Sequence, residues 1–93
     1  MKTFEVEIPE EVCNYLESLM YETNARKNLL AFCIEHGLNE KDAFNDYHKE
    51  YIEFSAQYEI AKEEMASKYI YPKYPSCTWN LNFNTKIAIV EVQ

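Results

Sequence analysis

Between residues 39 and 69 the apolar side chains recur at steps of three or four. They are Phe44, Tyr47, Tyr51, Phe54, Tyr58, Ala61, Met65 and Tyr69, with no proline or glycine among them. That spacing predicts one α-helix over 39–69 carrying a single apolar stripe. At about 1.5 Å per residue it is roughly 45 Å long, whereas a compact chain of this size has a radius of gyration of about 12 Å. The stripe therefore needs a second long helix, or another molecule, to cover it.

Upstream, Phe4, Val6 and Ile8 alternate with Glu5 and Glu7, the period of a half-buried strand, expected over 2–8. Pro9 follows where a first helical position tolerates a missing N–H, and Glu10 and Glu11 complement a helix N-terminus. Val12, Leu16, Leu19, Leu30 and Cys33 keep a helical rhythm and predict a helix over 10–36. Thr23 and Arg26 fall in the middle of that seam and give it a polar waist. Gly37, the sole glycine, is placed to end this helix in a left-handed conformation, with Leu38 closing a contact behind it. Asn39 suits the N-cap of the next helix, with Glu40 and Asp42 in its first turn.

So short a connection makes the two helices an antiparallel hairpin. Folding about the turn sets opposite each other residues whose numbers add to about 76. Leu16 then meets Ile60 or Ala61, Leu19 meets Tyr58, and Leu30 meets Tyr47. Arg26 arrives opposite Glu50, with Thr23 near Glu53, and Arg26 is expected to pair with Glu50 or Glu53. A buried or half-buried pair of this kind fixes register more than it adds stability, and loss of Arg26 alone is expected to cost more than loss of both partners.

Two prolines among three tyrosines in Lys-Tyr-Ile-Tyr-Pro-Lys-Tyr-Pro (68–75) end the second helix. Trp79, Leu81 and Phe83 then alternate with Asn80, Asn82 and Asn84, and 87–92 is a β-branched run. Residues 78–92 thus predict either one bent strand or a hairpin across Asn84–Thr85. The expected fold is α+β: a long antiparallel α-hairpin capped by a small two- or three-stranded antiparallel sheet, in the order β-α-α-β(β). No composition shift divides it, so 1–93 reads as a single domain.

With 47% hydrophobic and 15% aromatic residues in 93, the chain is rich enough for a packed core and too rich for disorder. A net charge of −7 argues against a nucleic-acid backbone or an anionic membrane as partner. No apolar run reaches membrane-spanning length, and residues 1–9 hold no signal-peptide core. Three cysteines, Cys13, Cys33 and Cys77, are an odd number without a Cys-x-x-Cys pair, which fits a reducing compartment. The expectation is a cytoplasmic protein.

Candidate chemistry is sparse. Cys33 and His36 form a ligand-capable pair, but a zinc site needs Cys13, Cys77 or His48 gathered beside them. Asp42, Asp46, Glu50 and Glu53 make an acidic stripe that lacks the Glu-x-x-His partner of a di-metal bundle, and a solvated helix face accounts for it. Ser18, Ser55, Ser67 and Ser76 carry no nucleophile motif, and a single glycine leaves no phosphate-cradling loop. No catalytic residue, metal or cofactor is therefore expected, and the chain reads as a non-enzyme. Its strongest binding candidate is the C-terminal strand region, where an open edge would accept an extended peptide. Trp79, Leu81, Phe83, Ile87 and Ile89 are the expected partner-binding residues.

The run Trp79-Asn-Leu-Asn-Phe83-Asn-Thr85-Lys-Ile87, together with Tyr21-Glu-Thr-Asn24-Ala25-Arg-Lys-Asn28-Leu29-Leu30, resembles a family of small proteins from CXXX-repeat peptide modification systems. Such proteins accompany radical-SAM maturases that act on ribosomally made peptides. They share a short N-terminal strand, a long helical hairpin and a Trp-x-hydrophobic-Asn/Asp-Phe-x-Thr ending. The chain contains no Cys-x-x-x repeat, so it is not itself the repeat substrate. The resemblance implies a non-catalytic accessory protein that binds a precursor peptide or its maturase. A second reading, motivated by charge, is an acidic inhibitor or anti-repressor of phage or mobile-element origin that occupies a basic site on a nucleic-acid-binding protein. A homodimer that buries the tyrosine stripe is also expected.

Overall fold

A computed structural model describes residues 1–38 and 42–93. The expected N-cap Asn39 and first-turn Glu40 lie outside the described residues. In chain order the elements are β1 (Lys2–Glu7), α1 (Glu10–Glu35), α2 (Asp42–Tyr69), β2 (Thr78–Asn82) and β3 (Ile87–Val92). The fold is α+β in the order β-α-α-β-β, with a helical hairpin and a three-stranded antiparallel sheet. Its contacts group into two compact units: Met1–Glu17 with Ala61–Gln93, and Ser18–Ile60.

The first unit holds the sheet, ordered β1-β3-β2. β3 is central because its run is apolar on both faces, whereas β1 and β2 each alternate. Phe4 and Val6 of β1 lie opposite Val90 and Ala88, and Trp79 and Leu81 of β2 lie opposite the same two residues. Directly opposed residues point to one side, so these six side chains share a face. Ala88 and Val90 are fully buried there, and the rest of this unit's core is Ile8, Cys13, Leu16, Ala61, Met65, Ala66 and Ile70. Phe4 also stacks on Tyr74, with ring centroids 4.8 Å apart.

Two local details differ from the sequence expectation. Pro9 is not the first helical residue. Its carbonyl accepts a bond from Cys13 N at 3.0 Å, so it is the flanking cap and Glu10 begins the helix. Residues 78–92 form the hairpin, one of the two expected arrangements, but Phe83 sits in its loop instead of extending β2. Asn82 explains the early end of the strand. Its side-chain oxygen accepts bonds from the amides of Asn84 (2.8 Å) and Thr85 (3.2 Å), while its carbonyl accepts one from Lys86 N at 2.8 Å. Asparagine closes turns in this way. Lys86 completes the reversal at φ 60°.

The second unit holds Ser18–Ile60 of the two helices. α1 ends at Gly37 (φ 70°), with Leu38 N bonded to Cys33 O at 2.7 Å and Gly37 N to Ile34 O at 3.2 Å. That pair of bonds is the Schellman motif, as the lone glycine predicted. Leu19, Leu30 and Cys33 are buried, and Phe44, Tyr47, Tyr51, Phe54 and Tyr58 are half-buried along α2. Thr23 settles its hydroxyl on the Leu19 carbonyl at 2.8 Å. Arg26 is held by Glu22 one turn earlier and by Glu50 across the hairpin, and lies over the Phe54 ring at 4.4 Å.

Candidate binding edge

Among the described residues β2 has one neighbouring strand, β3, and lies at an edge of the sheet. Two hydrogen bonds fix which way its backbone faces. Asn82 O turns inward and accepts from Lys86 N, and Ile8 N donates to Lys86 O on the β1 side. Backbone groups alternate along an antiparallel pair. Thr78, Asn80 and Asn82 therefore direct their N–H and C=O groups at β3, and Trp79 and Leu81 direct theirs at the open edge. Two residues' worth of donors and acceptors stand ready for another strand.

Side chains alternate in the same way. Trp79 and Leu81 belong to the buried face, opposite Val90 and Ala88. Thr78, Asn80 and Asn82 belong to the other face, opposite Glu91, Ile89 and Ile87. The five expected partner-binding residues are thus all half-buried but are not one patch. Trp79 and Leu81 share one face, Ile87 and Ile89 share the other, and Phe83 is in the loop between the strands. Adding a strand would place its alternate side chains on both faces at once, so this division suits edge pairing better than a flat contact.

The two sheet edges differ in chemistry. β1 carries Lys2, Glu5 and Glu7, the charges with which natural sheets discourage edge pairing. β2 is Thr-Trp-Asn-Leu-Asn, with no charge and no proline. Beside it runs an open groove lined by Thr78, Asn80, Asn82, Ile89 and Glu91 together with the two inward residues. Glu91 and Asn80 escape a search for apolar anchors. The signal that marks Glu91 in the sequence is one carboxylate inside an otherwise apolar run.

The other candidates are dispersed. Cys13 and Cys77 belong to the sheet unit, while Cys33, His36 and His48 belong to the hairpin unit. Cys33 is buried, whereas His36 is exposed and rests its ring on Phe32 at 4.3 Å. No three His, Cys, Asp or Glu residues gather as a metal site among the described residues. Asp42, Asp46, Glu50 and Glu53 are all exposed. The Cys13 thiol is packed against the Ile8 carbonyl at 3.8 Å, and burial lifts its pKa above the usual thiol range. A thiol so placed is a core residue and a poor nucleophile. No helix among the described residues is long and apolar enough to cross a membrane.

The chain matches no known protein family, characterised protein or solved structure.

Proposed function

We propose that this protein is a non-catalytic, cytoplasmic accessory protein that binds an extended segment of a peptide or protein along the edge of β2. The observation that carries this reading is the edge itself: the backbone groups of Trp79 and Leu81 face outward from a strand without charge or proline. Main-chain bonding supplies affinity in such pairing, and the flanking side chains supply selectivity. The resemblance in 79–87 and 21–30 supports placing it in a ribosomal-peptide modification system, where its partner is a precursor peptide or the maturase. Isothermal titration of the full chain against any precursor peptide and radical-SAM maturase whose genes adjoin its own tests this. Saturable binding to either supports the reading, and no heat with either at roughly 100 µM contradicts it.

A further inference from the structure

Glu91 is the only charged residue of the central strand. Its neighbours across the sheet are Thr3 in β1 and Thr78 in β2, so neither adjoining strand offers it a cation. It is exposed, and none of the ion pairs among the described residues includes it. Glu5 and Glu7 lie on the same sheet face, while the one lysine of β1, Lys2, lies on the opposite face with Val92. The strand residues of this face are therefore acidic without a strand counter-charge; Lys73 and Met1 line a neighbouring pocket with Thr78 and Glu91, but among the described residues neither forms an ion pair with Glu91. Thr78 is short, and Glu91 and Ile89 border the groove that runs along β2.

We infer that the segment added to β2 carries a lysine or arginine opposite Thr78, reaching across the threonine to Glu91, and an aliphatic residue two positions away, opposite Asn80 and lying towards Ile89. The inference rests on the reading of β2 as a binding edge and specifies its partner. Successive same-face residues of a strand are two apart, so basic-x-aliphatic, read in either direction, is the expected pattern. The net charge of −7 attracts such a segment from a distance. The β2 of a second copy does not meet the requirement. That strand, Thr-Trp-Asn-Leu-Asn, has no cation to bring to Glu91.

The test uses the full chain and four synthetic peptides of alternating threonine and valine. Three carry lysine, glutamine or glutamate at one central position, and the fourth is the lysine peptide with alternate backbone nitrogens methylated. Trp79, the sole tryptophan, reports occupancy of the edge by fluorescence. The lysine peptide is expected to bind about fivefold tighter than the glutamine peptide, the upper range of an exposed ion pair, with the glutamate peptide weakest. The preference disappears in Glu91→Gln and in about 1 M salt. Methylation abolishes binding. Equal affinity of lysine and glutamine peptides, still blocked by methylation, overturns the pairing with Glu91 and leaves the edge reading intact. Binding of none of the peptides, or binding indifferent to methylation, overturns both. Self-association that occludes Trp79 assigns the edge to a second copy and overturns the inference. The peptide series on the unaltered chain decides the matter even if Glu91→Gln folds poorly.

Discussion

Arg26 Nε stands 3.7 Å from Glu50 Oε2, joining the two helices of the hairpin at the polar waist of their seam. The contact lies where folding about Gly37 sets the two residues opposite each other in that unit. The Arg26 side chain is 26% exposed and that of Glu50 is 50% exposed. At such exposure water screens the pair, and the strong penalty for orphaning a buried charge does not apply. In a double-mutant cycle, Arg26→Met and Glu50→Gln should couple by at most about 0.5 kcal/mol, less in salt. Arg26→Met alone should cost about 1 kcal/mol, because the guanidinium also covers the Phe54 ring. Urea unfolding of the four proteins checks both values, and a coupling of several kcal/mol would show a buried pair.

Gly37 faces open space, so a methyl group there meets nothing, but its backbone is left-handed at φ 70°. Gly37→Ala should destabilise the protein by about 1 kcal/mol through the backbone alone. Gly37→Asn should cost distinctly less, since asparagine tolerates this conformation. Equal losses for the two variants, measured by chemical unfolding, would point to a side-chain clash instead.

Leu16 and Leu29 occupy the same helix with opposite surroundings. Leu16 is 1% exposed in the sheet unit's core, and Leu29 is 37% exposed. Leu16→Ala should cost about 3 kcal/mol and Leu29→Ala less than about 1 kcal/mol. Thermal and denaturant unfolding of both variants checks the contrast, and comparable costs would mean that Leu29 is covered in solution, as in a dimer.

Cys13 makes stability depend on pH in the alkaline range. Burial raises its pKa, Lys86 opposes that, and Glu17 and Glu10 add to it. The folded chain thus holds the thiol proton more tightly than the unfolded chain does. The stabilisation is complete below the unfolded thiol pKa, about 8.5, and is lost as pH climbs through the folded value. Between about pH 8 and about pH 10 the unaltered chain should lose more stability than Cys13→Ala. Urea midpoints at the two pH values measure the difference, and identical losses would contradict the assignment.

Much of this architecture is legible in the sequence because its signals are local. The three-and-four spacing along α2, the lone Gly37 and the alternation about Phe4 and Val6 each act within a turn or two. The Arg26–Glu50 contact follows from folding those helices about the glycine. The early end of β2 is less legible, since alternation continues through Phe83 and only the bonds of Asn82 with the loop amides stop the strand. The binding residues are the least legible. Apolar content marks Trp79, Leu81, Ile87 and Ile89 equally, but the pairing register sends them to opposite faces. Register also sets Glu91 beside two threonines, a long-range fact that no spacing along the chain reveals.

Amide hydrogen exchange at Trp79 and Leu81, with and without a saturating extended peptide, tests the binding edge most directly. Both amides face outward from β2, and pairing with an added strand should slow their exchange by about a hundredfold. Unchanged exchange at these two amides in a demonstrably bound complex, with protection appearing along Phe44–Tyr58 instead, would place the partner on the helical hairpin and contradict the account.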